Sequence, residues 1–204
     1  MNDADGQRKI ATILAADVAG YSRPMADDDR ATVAALNAAR VVFRERIETH
    51  GGRVVDTAGD SMLAIFLSVV EAVQCAVSVQ ETLAESNEAV AEDRRMRFRI
   101  GVNLGDIIEQ ADGTIYGDGV NIAARLEALA DPGGVMISEA AHMQVRREGD
   151  MAFSDAGTHE VKNIPDPVHT FAVATKGAIA KPAAPIKTTR AERSSIAVLP
   201  FDNM

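Results

Sequence analysis

A sheet with helices packed on it, of the α/β or α+β class, is predicted by three features of this 204-residue sequence. Short apolar runs of strand length recur, as in IATILAAD (10–17) and VMIS (135–138). Between them lie longer segments whose apolar residues return every three or four positions, the period of a helix packed on one side. Glycine, aspartate and proline gather at the junctions, where the chain must turn.

The elements follow in order. Residues 1–9 are polar and are expected to be flexible. Residues 10–17 read as a buried strand ending in an acid, Asp17. Residues 26–49 read as a long helix: Val33, Leu36, Ala39 or Arg40, Phe43 and Ile47 share a stripe, and Gly51 and Gly52 stop it. RVVDTAGDSMLAIF (53–66) is two strands joined by a tight turn at Ala58-Gly59-Asp60. A second helix runs from Val69 to Glu85. MRFRIGVNLGDIIEQ (96–110) alternates apolar and polar residues at its start, as a strand does. DGTIYGDG (112–119) is a glycine-rich loop, and VNIAARLEALA (120–130) is a helix with Asp118 as its N-cap, closed by Asp131-Pro132-Gly133-Gly134. VMIS is a short strand, SEAAHMQVR (138–146) a short helix, and THEVKNIPDPVHTFAV (158–173) a closing hairpin. The domain is therefore expected to span 10–174, with 175–194, rich in Ala, Pro and Lys, as a linker.

Composition narrows the function. Hydrophobic residues at 47% support a globular core, and aromatics at only 4% make that core aliphatic. A net charge of −9 argues against general nucleic-acid binding. An acidic protein that handles phosphates needs local cations or metal ions. Cys75 falls in the apolar pattern Ala72, Cys75, Ala76, Val79 and reads as core packing; alone, it makes no internal disulfide, which fits a reducing compartment. No apolar run approaches the ~18 residues of a membrane span, and MNDADGQRK lacks a signal peptide's apolar segment. A cytoplasmic domain without a membrane segment is expected.

Chemistry concentrates in three places. LAADVAGYS (14–22) sets Asp17 at a strand end before a small-residue turn. TAGDSMLAIF (57–66) sets Asp60 in a tight turn. Two such carboxylates can converge on one ion, and Mg²⁺ favours one or two carboxylates with phosphate oxygens and water. Spacing alone also fits a turn aspartate and a surface aspartate. Third, Asn121 and Arg125 stand four apart on one helix and so share a face, with Ala123 and Ala124 small enough to admit another surface.

Five segments in one order, LAADVAGYS, GDSMLAIF, RIGVNLGDII, YGDGVNIAARLE and HEVKNI, resemble class III adenylate/guanylate cyclase domains over residues 8–174. The resemblance implies a ferredoxin-like α+β domain that works as a homodimer, with its sites at the subunit interface. It matches Asp17 and Asp60 to the ligands of two Mg²⁺ or Mn²⁺ ions. The main chain of Val18, Ala19, Gly20, Tyr21 and Ser22 matches the turn that cradles a triphosphate. Asn121 matches the residue that orients the ribose, Arg125 the one that neutralises phosphate charge in the transition state, and Lys162 a lysine reaching the terminal phosphates. The metal pair comes from one subunit, Asn121 and Arg125 from the other. Residues 195–204 resemble the opening strand of TolB-like segments of multidomain bacterial proteins, which implies a longer parent chain.

One position departs from the pattern. ATP-using members carry a lysine four residues before the second metal aspartate; here that residue is Asp56. Its purine partner, seven residues before the ribose asparagine, is Thr114. An ionised Asp56 accepts but cannot donate. It can accept from the adenine amino group with Thr114 donating to N1, or from guanine N1–H and the 2-amino group with Thr114 donating to O6; a loosened pocket is the third reading. The expected activity is ATP to cyclic AMP and pyrophosphate. The alternatives are guanylate cyclase or relaxed purine use, and a catalytically weak, dimerising regulatory domain. A metal-dependent phosphatase or nuclease lacks its histidine cluster, since His50, His142, His159 and His169 are scattered.

Overall fold

A computed structural model describes residues 6–149, 151–160 and 166–175. Among them eight strands form one sheet: β1 (Gln7–Val18), β2 (Arg53–Asp56), β3 (Met62–Phe66), β4 (Phe98–Glu109), β5 (Ile115–Tyr116), β6 (Val135–Ser138), β7 (Phe153–His159) and β8 (Val168–Val173). Their spatial order is β2-β3-β1-β4-β6-β8-β7, with β5 added to β4. Only β4–β6 is parallel; the other pairs are antiparallel. A parallel neighbour needs a crossover, here the helix α4 (Asp118–Leu129). The remaining helices are α1 (Ser22–Asp27), α2 (Asp29–Thr49), α3 (Val69–Asn87) and α5 (Glu139–Val145).

β1 and β4 pair without interruption from Gln7↔Glu109 to Val18↔Phe98. Residues 11–16 are all buried because the strand is covered on both faces. Even positions Leu14, Ala16 and Val18 join α2 and α3 residues in the main core. Odd positions Ala11, Ile13 and Ala15 join Ile107, Ile115 and Ala123 under α4. In the main core Phe43 meets Phe98 edge-on, ring centres 4.9 Å apart, both rings essentially excluded from water. Cys75 is fully buried there, and burial pushes its thiol up to about 12.

α4 sits unusually close to β4. A Cβ on Gly101 would overlap the Ala123 carbonyl and the Glu127 amide, and one on Gly119 would lie 2.7 Å from the Asp106 carbonyl. Glycine at these points lets backbone meet backbone.

Several expectations are corrected. The helix predicted over 26–49 is two, broken at Asp28, whose extended backbone (φ −153°) and Oδ1, accepting from Ala31 N at 3.0 Å, start α2. β1 opens at Gln7, ahead of the apolar run, since Gln7, Arg8 and Lys9 still find β4 partners. The glycine-rich loop contains β5. Asp118 does not cap α4; Gly117 takes the N-cap position at φ +125°, a conformation that favours glycine, and its carbonyl accepts from Val120 N and Asn121 N. The closing hairpin begins earlier, at Phe153. Residues 1–5, Lys162 and most of the proposed linker and TolB-like segment lie outside the described residues. No helix among the described residues is long and apolar enough to cross a membrane.

Candidate active site

Strand parity brings the acids together. Asp17 is an odd position of β1 and points to the α4 face, as does Arg99, its register partner on β4. Arg99 Nη2 donates to Asp17 Oδ2 at 3.2 Å. The same nitrogen lies 3.2 Å from Glu127 Oε1 on α4. Asp60 arrives from the β2–β3 turn, where Ser61 N donates to Ala58 O at 3.0 Å. Ser61 Oγ donates to Asp17 Oδ1 at 3.4 Å. On the far side of that turn, Arg40 of α2 donates to the Gly59 carbonyl and holds the loop in place.

The electrostatics are those of too many acids in one place. Burial first, then the neighbouring Asp17 carboxylate, hold the Asp60 carboxyl above the usual carboxylate range. Glu127 is pushed up to about 7, mainly by burial, with Asp17 and Asp60 adding to the shift and Arg99 opposing it. One guanidinium thus faces three acids. Among the described residues, Glu127 Oε1 and Arg99 Nε are buried without a hydrogen-bond partner. The Arg99–Glu127 approach is therefore a charge contact, not an aligned hydrogen bond. Asp17 and Asp60 are hard oxygen donors of the kind Mg²⁺ or Mn²⁺ takes, and the two together could hold such an ion.

The turn after Asp17 is only partly free. Val18 is the buried end of β1, and Ala19 N already donates to Arg97 O at 2.8 Å. Gly20 makes the bend, Tyr21 packs against the main core, and Ser22 opens α1.

Asn121 and Arg125 lie on the exposed face of α4, and neither bonds to Asp17 or Asp60. Ala124 shares that exposed face, whereas Ala123 is fully buried against the sheet, so only Ala124 can admit a second surface. Asp56 ends β2, exposed, with Oδ1 accepting from Thr57 N at 2.7 Å. It lines a cleft of about 190 Å³ with Ser61, Val120, Ala124 and Glu127. Thr114 closes the β4–β5 turn, its amide donating to Asp112 Oδ1 at 2.9 Å.

Sequence reasoning missed Arg99, Glu127 and Arg40. Arg99 has a visible signal: a cation in the alternating FRIGV strand, in phase with Asp17. Arg40 has one too, since the helical stripe admits either Ala39 or Arg40; Ala39 takes the core and Arg40 the turn.

The family model described as "Adenylate and Guanylate cyclase catalytic domain" matches residues 5–175. A putative adenylate cyclase of Rhizobium meliloti is 46% identical over 202 residues, which cover 97% of this chain and 34% of the relative. The chain thus spans about a third of that relative's length. An adenylate/guanylate cyclase/hydrolase from Silicibacter pomeroyi superposes with a TM-score of 0.74 at 37% identity, covering 82% of this chain and 98% of that structure. The adenylyl cyclase CyaB from P. aeruginosa shares the fold, with a TM-score of 0.72 at 22% identity, covering 83% and 96%. With its mixed sheet, the acid pair at the end of β1 and the family match over nearly the whole described chain, this protein belongs to the class III adenylate and guanylate cyclase catalytic domain family.

Proposed function

We propose that the domain closes a purine nucleoside triphosphate into its 3′,5′-cyclic monophosphate, with ATP as the leading substrate, at two sites shared across a homodimer. The observation that carries this reading is the Asp17–Asp60 pair, set side by side at the end of the central strand with one arginine against three acids. The name of the 46% identical relative supports ATP.

In the reaction the ribose 3′-oxygen bonds to the α-phosphorus, the bond to the β-phosphate oxygen breaks, pyrophosphate departs and the hydroxyl proton passes to water. Asp17 and Asp60 would hold two Mg²⁺ or Mn²⁺ ions. When bound, such ions lower the pKa of the 3′-hydroxyl and neutralise the leaving group. The chain's own residues then position and stabilise. The turn from Val18 to Ser22 would follow the triphosphate, using the amides beyond Ala19. Asn121 would orient the ribose and Arg125 would meet charge on the α-phosphate, a task worth ~10³-fold or more in comparable phosphoryl transfers. Lys162 would reach the terminal phosphates. Asn121 and Arg125 face solvent, apart from their own acid pair, which supports their serving the partner's metals.

Asp56 and Thr114 would read the base. The exposed Asp56 carboxylate favours guanine as a second reading, because guanine offers it two adjacent donors and adenine only one.

The test is direct. The purified protein is incubated with ATP or GTP and Mn²⁺, and the product is identified by mass spectrometry. A cyclic nucleotide is expected, from ATP before GTP. Mixing Asp17→Ala and Arg125→Ala chains, each inactive alone, is expected to restore part of the activity through mixed dimers carrying one intact site. No cyclic product from either nucleotide, or full activity from a strict monomer, would sink the proposal.

A further inference from the structure

Base reading by Asp56 and Thr114, the proposal on which the following rests, requires two side chains on different elements to keep a fixed separation. Asp56 ends β2 at the outer edge of the sheet, and Thr114 sits in the turn between β4 and β5. Two strands, β3 and β1, lie between β2 and β4. No ladder hydrogen bond therefore ties one reader to the other.

A side chain does. Arg53, the first residue of β2, reaches across: its Nη2 donates to Glu109 Oε1 at 2.5 Å, and its Nη1 donates to the Gly113 carbonyl at 3.4 Å. Gly113 directly precedes Thr114, and the guanidinium lies so close that a Cβ on Gly113 would stand 3.2 Å from Nη1. Lys9 of β1 pairs with the other oxygen of Glu109 and fixes that carboxylate from below. These cations hold the Glu109 carboxyl below the ordinary carboxylate range. The turn itself is internally closed, with Gly113 N donating to Gln110 O at 2.9 Å and Gln110 N to Thr114 O at 2.9 Å. Whatever fixes Gly113 thus fixes Thr114. At the other end, Val54 and Asp56 flank a register shift against β3, so the ladder alone leaves the end of β2 underdetermined.

We propose that Arg53 is a positioning residue for purine selection: clamped to Glu109 and the Gly113 carbonyl, it sets the spacing between Asp56 and Thr114.

The experiment is calorimetric binding of 3′-deoxy-ATP and 3′-deoxy-GTP, which cannot cyclise, with Mn²⁺, to the whole protein. Inorganic tripolyphosphate serves as the base-free probe. The variants are Arg53→Met, Arg53→Lys and Glu109→Gln, with Asp56→Ala and Thr114→Ala as controls and thermal unfolding to confirm folding. Arg53→Met is expected to lower the ratio of affinities for the two nucleotides by about fivefold, the most that a part-exposed ion pair contributes. Tripolyphosphate affinity stays unchanged. Arg53→Lys should recover part of the ratio and Glu109→Gln should lose part of it.

The proposal is overturned if Arg53→Met leaves the ratio intact while Asp56→Ala or Thr114→Ala changes it; base reading then survives without the clamp. It is also overturned if tripolyphosphate binding falls in parallel with nucleotide binding, which marks general damage. If neither control changes the ratio, or the wild type binds neither nucleotide, base reading by Asp56 and Thr114 falls, and the clamp falls with it.

Discussion

Arg99 and Asp17 face each other across the β1–β4 ladder, Nη2 to Oδ2 at 3.2 Å, and the same nitrogen stands 3.2 Å from Glu127 Oε1. A single strand cation thereby joins the acid pair to the helix that carries Asn121 and Arg125. Removing it should be felt by both. Arg99→Ala is expected to lower stability at pH 7.5 by about 1–3 kcal/mol, in urea unfolding without metal. The loss stays below that of a fully buried pair because Arg99 is 27% exposed and Glu127 can take a proton. A change within 0.3 kcal/mol, roughly the additivity error of such measurements, would show that the contact is incidental.

Glu127 gives a pH signature. Its carboxyl titrates at about 7 in the folded protein and at the ordinary 4.5 unfolded, so the native state holds the extra proton between those values. Stability from this group is therefore full below about 4.5 and is lost as pH rises through about 7. Glu127→Gln cannot ionise. Thermal unfolding in EDTA at several pH values should show the wild type weakening relative to Glu127→Gln across that window, on the order of 1–3 kcal/mol in total. Parallel curves would refute it.

Asp60 predicts opposite effects with and without metal. Burial and the Asp17 charge raise its carboxyl, so Asp60→Asn relieves a small cost in the metal-free protein, under about 1 kcal/mol after solvent screening. Millimolar Mn²⁺ should raise the melting temperature of the wild type by several degrees. The variant should lose that rise along with any cyclase activity. An undiminished Mn²⁺ shift in Asp60→Asn would remove Asp60 from the metal site.

Gly101 tests the contact between α4 and the sheet. A methyl there would overlap the Ala123 carbonyl and the Glu127 amide, both backbone atoms that cannot swing aside. Gly101→Ala should cost about 3 kcal/mol or more, at the upper end of overpacking, and should reduce activity beyond the loss of folded protein, because α4 carries Asn121 and Arg125. Full stability in urea would mean that the helix has slack after all.

Much of this was legible in the sequence, for physical reasons. The apolar run at 10–17 has the length of a covered strand, which 11–16 form while Ile10 stays exposed, and the 3.6-residue stripe through Leu36, Phe43 and Ile47 marks a packed helix. Asp17 and Asp60 stand out only through the family resemblance, because an acid at a strand end and one in a tight turn fit a surface and a turn aspartate equally well. Arg99 and Glu127 do not stand out, because each is an unremarkable polar residue in its own element; only the pairing of β4 with β1 in this register makes them neighbours. The break at Asp28 is not marked by the apolar stripe, which leaves its own start open; within Asp27-Asp28-Asp29 the extended backbone of Asp28 and its cap bond to Ala31 separate α1 from α2. Arg53 was invisible for the same reason as Arg99: its partners lie 56 and 60 residues away.

The glycine-floored contact between α4 and β4 limits how this protein can move. With backbone against backbone at Gly101 and Gly119, and Ala123 and Leu126 packed against the sheet, α4 has no room to come closer to β4. The helix that carries Asn121 and Arg125 is thereby keyed to the sheet beneath it. In the proposed homodimer, closure over a nucleotide would then turn one whole domain against the other. Regulation of such a pair would act on the angle between the two domains and leave the α4–β4 contact of each as it is.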